Sequence, residues 1–163
     1  GFNYRVSEIV GVIGLVQLKK MGFILKQNKK YYSKYENILN KYKSINIRKI
    51  PKKNTPLKDC IIFNFQTKKV ASKFLEEITN LKIATKNIPD ALEWHFAKYW
   101  DHIFKKFGIN KKKLLNNFPI STFHLEKSIA LFIYASEKMK DVSLKAKKID
   151  NILKNFKKKK IIS

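Results

Sequence analysis

Cysteine, glycine, proline and arginine are all scarce in these 163 residues, and each scarcity excludes something. The single cysteine, Cys60, rules out an internal disulfide framework and a cysteine-based zinc site. It opens the apolar run Cys60–Phe65, where a buried, inert thiol is the expected state. No apolar run approaches the roughly 20 residues that a membrane helix needs. The first residues are polar and carry no separate basic region, which reads against a signal peptide. Together these features fit a cytosolic protein. Two arginines, Arg5 and Arg48, leave lysine to carry almost all of the positive charge. The chain opens on Gly1, not on methionine, and reads as a piece of a larger protein that begins at a functional loop.

Acidic residues are scarce as well: 12 against 36 basic ones, for a formal charge of +24. A small lysine-rich nucleic-acid-binding protein is one reading of that excess, because cations release counterions from phosphates. Base and phosphate readers lean on arginine, however, whose planar fork makes bidentate contacts. The lysines are spread along the whole chain. Abundant asparagine, isoleucine, phenylalanine and tyrosine beside scarce glycine and proline point to compositional drift of an AT-rich genome. The run Lys157–Lys160 reads as a solvated tail.

What is present is 44% hydrophobic and 13% aromatic, enough for one domain with a core. Ser7 is placed to cap a helix with Glu8 in its first turn. Ile9, Val10, Ile13 and Val16 follow at helical spacing, apolar on most sides, which predicts a buried helix whose Gly11 and Gly14 allow close approach. Gly22 predicts a break before a second helix carrying Ile24, Tyr31, Tyr35, Ile38 and Tyr42. A β segment around Ile45–Ile50 leads to Pro51 and, through a Lys52–Lys58 surface loop with Pro56, to a strand over Cys60–Phe65. Lys68–Leu81 is an amphipathic helix, and a short strand is expected around Ile83. A stripe of Leu92, Phe96, Tyr99, Trp100, Ile103 and Phe107 predicts another helix, closed by Gly108. Ser121 or Thr122 caps a short turn, Ile129–Ile133 is a buried strand, and a last helix runs through Val142, Ile149, Leu153 and Phe156. The order gives a small α/β (α+β) domain with a helical lead-in.

Self-contained catalytic machinery is missing: no glycine-rich phosphate loop, no G-x-S-x-G elbow, no H-E-x-x-H pair. His95 and His102 lie seven apart, but a metal site needs more ligands, and none is expected. The cluster Trp94–His102 is either a packed aromatic face or one wall of a pocket for a polar ring such as a sugar. Asn3 and Arg5 stand just ahead of a helix start. There they either cap their own helix or bind a phosphate or carboxylate.

The run Gly1-Phe2-Asn3-Tyr4-Arg5-Val6-Ser7-Glu8-Ile9, with Gly11, Ile13-Gly14-Leu15 and Gln17-Leu18, resembles the DegT/DnrJ/EryC1/StrS family of pyridoxal-phosphate-dependent sugar aminotransferases. Val6 and Val10 replace the usual methionine and glutamine, and neither change touches the polar trio. Phe118-Pro119 and Glu126–Leu131 are similar to the family's closing segment, with Phe132 where proline is common. Pro89–Phe96 departs from the frequent His-Tyr-x-Pro-x-His wording. It looks like the branch acting on 8-amino-octulosonate, a lipopolysaccharide sugar.

The resemblance covers the whole chain but only the C-terminal portion of such an enzyme. It implies a fold-type I small domain over 45–163. Residues 1–44 would link it to a large pyridoxal-phosphate-binding domain upstream. It further implies a homodimer with shared active sites, where Asn3 contacts the cofactor phosphate of the neighbouring subunit while Tyr4 and Arg5 shape that site. Trp94, His95 and Phe96 would face the sugar. The Schiff-base lysine would lie upstream, so no lysine here is expected to be catalytic and the fragment alone is expected to be inactive. An amino-acid donor such as glutamate would load the cofactor, which would then aminate a keto-sugar.

Overall fold

The computed structural model describes residues 6–51, 53–86, 96–115 and 118–163. It is an α+β unit: a three-stranded sheet in the order β1-β2-β3, with helices supplying the rest of the core. β1 is Asn46–Ile47, β2 is Cys60–Asn64 and β3 is Ser128–Phe132, and both pairings are antiparallel. The β2–β3 register sets Ile61 opposite Leu131 and Phe63 opposite Ile129. Because side chains alternate along a strand, these four point to the same face and are all buried. Cys60 and Ile62 lie on the other face and are only half-buried. Burial pushes the Cys60 thiol above its ordinary range, as expected of an unreactive cysteine.

Helix α1 (Glu8–Leu39) runs unbroken for 32 residues, about 48 Å at the helical rise. The break expected at Gly22 does not occur. One glycine costs a helix interior roughly 1 kcal/mol and removes no hydrogen bond, so long flanks carry it through. The rear of α1 buries Asn28, Tyr31, Tyr32, Tyr35 and Leu39. Its front, expected to be buried, is exposed: Ile9 is 73% and Leu18 64% accessible. Nothing in the described chain reaches Gly11 or Gly14, around which a Cβ would meet no atom within 4 Å. The all-round apolar pattern predicts a buried helix, and no cover for its front lies among the described residues.

Helix α2 (Lys68–Asn80) is capped by Thr67, whose hydroxyl accepts from the Val70 amide at 3.3 Å. It drops Ala71, Phe74 and Ile78 into the core. Phe74 meets Phe63 edge to face at 5.8 Å and Phe156 at 6.4 Å. The expected strand at Ile83 is reduced to a single bridge, Thr85 to Leu131, with the Lys86 amide donating to the Ala130 carbonyl. Ile83 itself is drawn into the core where α2 turns back.

A 3₁₀ turn, Ala97–Tyr99, is followed by three short helices: α3 (Asp101–Lys106), α4 (Lys111–Leu115) and α5 (Pro119–Leu125). The long aromatic helix expected from Leu92 to Phe107 is therefore corrected: Trp100, at φ −88° and ψ 44°, separates the 3₁₀ turn from α3. Gly108, at φ +62°, closes α3 as expected. Pro119 starts α5, so Ser121 and Thr122 lie inside that helix, and the Thr122 hydroxyl donates back to the Phe118 carbonyl.

Helix α6 (Met139–Lys158) packs along the rear of α1 and buries Val142, Ile149, Leu153 and Phe156. Tyr42 donates to Asp150 Oδ1 at 2.9 Å, and Tyr31 donates to the Glu137 carbonyl at 2.6 Å. The lysine run Lys157–Lys160 is solvated as expected, but it is not a free tail. Lys157 and Lys158 are the last turn of α6, Ile162 is buried, and the Ser163 carbonyl accepts from the Ser44 hydroxyl.

Candidate functional site

Of the six residues assigned to a site by sequence, only Phe96 is described. Asn3, Tyr4, Arg5, Trp94 and His95 lie outside the described residues. The surroundings of both groups are nevertheless defined. Ser7, extended at φ −67° and ψ 153°, is the N-cap of α1, and its hydroxyl accepts from the Val10 amide at 3.4 Å. The Ser7 carbonyl takes the Gly11 amide at 2.9 Å, and Glu8 adds its charge to the first turn. Capping is thus accomplished by Ser7.

Phe96 is 7% exposed and meets Tyr99 edge to face at 5.8 Å. With Ser72, Leu75, Tyr99, Leu125 and Ile129 it lines a pocket of about 150 Å³. At its rim Lys68 pairs with Glu126 at 3.2 Å. An apolar wall, an aromatic edge and an ion pair form a binding surface. His102 sits on α3, which begins only at Asp101, and His124 on α5. Asp101 pairs instead with Lys111 at 2.6 Å. Among the described residues no three His, Cys, Asp or Glu side chains are grouped to hold a metal ion.

A larger groove of about 790 Å³, unforeseen from sequence, runs between α2 and the 83–85 segment, walled by Leu75, Ile83, Phe132 and Tyr134. Phe132 stacks on Tyr134 at 5.5 Å, and the Lys86 ammonium lies 5.2 Å above the Phe132 ring. The groove exists because the 83–86 segment bridges the edge of β3, a long-range pairing that leaves no local sequence signal. Its size alone does not make it a reaction centre. No described helix is long and apolar enough to cross a membrane.

The sequence pattern of the DegT/DnrJ/EryC1/StrS aminotransferase family matches residues 1–141. Enzymes of that family use pyridoxal phosphate. The fold is similar to that of Helicobacter pylori PseC, an aminotransferase involved in the biosynthesis of pseudoaminic acid. The TM-score is 0.68 at 18% identity, over 96% of this chain and 40% of that one. It is similar also to Spr1654 of Streptococcus pneumoniae, described as a sugar aminotransferase and solved in apo, PMP and PLP forms. For the PMP form the TM-score is 0.68 at 15% identity, over 93% of this chain and 36% of that one. The aminotransferase TlmJ of Streptoalloteichus hindustanus matches at a TM-score of 0.67 and 14% identity, over 88% of this chain and 35% of that one. This chain therefore spans well under half the length of these structures. No curated protein matches the chain closely enough to count as a relative. With the family pattern starting at Gly1 and covering most of its residues, this chain belongs to the DegT/DnrJ/EryC1/StrS aminotransferase family.

Proposed function

We propose that the chain is the C-terminal portion of a pyridoxal-phosphate-dependent aminotransferase. The enzyme would transfer an amino group from glutamate to a keto-sugar in the synthesis of lipopolysaccharide or another surface polysaccharide. The carrying observation is the family match from the first residue, joined to a helix already capped by Ser7 behind a polar loop. An amide and a guanidinium are a fitting donor set for a phosphate or carboxylate. Asn3 is assigned to the cofactor phosphate of the neighbouring subunit, with Tyr4 and Arg5 shaping that half of a shared site. Trp94, His95 and Phe96 form the sugar wall.

Residues 1–44 link this unit to a large cofactor-binding domain upstream, and 45–163 are the small domain. The exposed apolar front of α1 supports that division, because such a surface requires cover. When bound, the cofactor supplies the electron sink that lets an amino group move. This chain's residues orient: Asn3 and Arg5 by donating to oxygens, the aromatic wall by excluding water from one side of the sugar.

The test is to express the complete gene product and measure pyridoxal phosphate uptake and glutamate-dependent amination of keto-sugars. Uptake with turnover supports the reading. A product whose upstream sequence has no lysine able to hold the cofactor, or that shows no uptake, refutes it.

A further inference from the structure

Among the described residues arginine is kept at one place, Arg48, directly after β1, and every other basic side chain there is lysine or histidine. The Arg48 amide donates to the Ile62 carbonyl at 2.9 Å, which holds its backbone against β2. Its guanidinium makes no hydrogen bond or ion pair with any described residue. It borders a pocket of about 190 Å³ lined also by Tyr32, Lys58, Cys60, Ile50 and Pro56.

Tyr32 is 4% exposed. The hydroxyls of Tyr31 and Tyr42 donate to the Glu137 carbonyl and to Asp150, but that of Tyr32 bonds to no described residue. Burial pushes this phenol above its ordinary range, and Glu36 adds to the rise, so at neutral pH it is a proton donor. A buried donor without an acceptor is costly. The Lys58 ammonium lies 4.5 Å over the Tyr32 ring. Lys58 holds φ 56° although it ends no helix, and backbone strain of this kind collects at binding sites.

Two carboxylates stand near. Asp59 also lines the pocket, but Lys86 pairs with it at 3.5 Å. Glu36 forms no ion pair with Arg48 or Lys58. The pocket therefore presents two cations and one buried hydroxyl, a donor set for an anion with several oxygens. Arg48, Ile50 and Pro56 border a second hollow as well, of about 540 Å³, which Asn54 and Thr55 line. An amide and a hydroxyl there suit the alcohol groups of a ligand.

We propose that this pocket binds a phosphate monoester of a small polyhydroxy compound. Arg48, Lys58 and Tyr32 hold the phosphate, and the hydroxylated body lies toward Asn54 and Thr55. The pocket shares no lining residue with the one around Phe96. Neither the site nor its test involves pyridoxal phosphate, so the result stands apart from the proposed function.

Heteronuclear NMR of this chain, at about pH 8 where phosphate is a dianion, tests it. Inorganic phosphate shifts the Arg48 Nε–H signal and the Cys60 amide in a saturable way, and chloride at equal ionic strength does not. Glucose 1-phosphate saturates the same signals at a lower concentration. Read at the Cys60 amide, Tyr32→Phe and Arg48→Lys each raise the half-saturating concentration by about tenfold, the range of a hydrogen bond to a charged group. Arg48→Lys keeps the charge and loses only the fork, and neither side chain is bonded to the rest of the fold, so the remaining spectrum is unchanged. Lys112→Gln, which removes an exposed charge on α4, stays within about twofold of wild type. Absence of a saturable shift at Arg48, an equal shift with acetate, or a loss in Lys112→Gln as large as in Arg48→Lys overturns the proposal.

Discussion

Replacing Lys82 and Lys160 by glycine should make the protein more stable. Both residues end a helix in the same way. After α2, the Ile83 amide donates to the Ile78 carbonyl at 3.0 Å and the Lys82 amide to Thr79 at 2.8 Å. After α6, the Ile161 amide donates to Phe156 at 2.8 Å and the Lys160 amide to Lys157 at 2.9 Å. This double bond pattern requires a left-handed residue, and Lys82 and Lys160 hold φ values of 56° and 55°. A side chain there costs roughly 1–2 kcal/mol. Glycine removes that cost but returns roughly 0.5–1 kcal/mol through its freer unfolded chain. The net gain is about 0.5–1 kcal/mol at each site. The two sites share no partner, so the gains add, and the double variant should melt roughly 2–8 °C higher. Urea titration should show a higher midpoint at unchanged slope. Alanine at the same positions separates backbone from charge, because it removes the ammonium and keeps the strained φ. If Lys82→Ala stabilises as much as Lys82→Gly, or neither glycine variant stabilises, the reasoning fails. Lys58 shares the positive φ, but its ammonium lies 4.5 Å over the Tyr32 ring, so glycine there should gain less or nothing.

Gly108→Ala, the reverse change at the third such helix end, should cost about 1 kcal/mol by chemical denaturation. Burial alone would raise the Asp150 carboxyl, but hydrogen bonds from Lys154 and Tyr42 and the charges of Lys41 and Lys154 hold it below the usual 3.8. Its contribution is therefore complete above that value and lost as the pH falls through the depressed one. Asp150→Asn should flatten this acid limb, and an unchanged pH profile would refute the assignment. Phe74→Ala should cost about 3–5 kcal/mol, since Phe74 is fully buried between Phe63, Phe65 and Phe156; a loss below about 1 kcal/mol would contradict that packing. In the complete enzyme, Asn3→Ala should weaken cofactor retention by about tenfold or more, the range of a hydrogen bond to a charged group, and equal retention in equilibrium dialysis would remove Asn3 from the site.

The elements with a local signature were legible in the sequence. Lys68–Leu81 differs by one residue from α2, because Val70, Phe74, Ile78 and Leu81 hold strict helical spacing behind the Thr67 cap. Ile61 and Phe63 gave β2, and Ile129 and Leu131 gave β3. What failed had its cause outside the local window. The antiparallel β2–β3 pairing joins residues more than 60 positions apart, such as Cys60 with Phe132. The helix ends at Lys82 and Lys160 carry no glycine to announce them, so α2 was followed by an expected strand and α6 by an expected tail. The aromatic stripe after Asp90 has helical spacing, yet the chain from Phe96 onward turns twice before α3 begins. For the site, the Ser7 cap was readable from residue type alone. The pocket around Phe96 was not, because Leu125 and Ile129 reach it from a later part of the chain.

Glycine use separates drift from function here. Only five glycines occur, and three of them, Gly11, Gly14 and Gly22, sit inside one helix, where each is unfavourable. Two positions where glycine would relieve strain hold lysine instead. A composition drifting away from glycine explains those lysines and cannot explain glycines kept where they cost stability. The exposed side chains around them give the scale of what they serve. Ile9, Val10, Val12, Ile13, Leu15, Val16 and Leu18 are each between 43% and 73% accessible. Covering them would contribute on the order of 10 kcal/mol, comparable to the whole stability of a domain. A surface of that energy requires cover from outside the described residues, whereas the rear of α1 belongs to the fold.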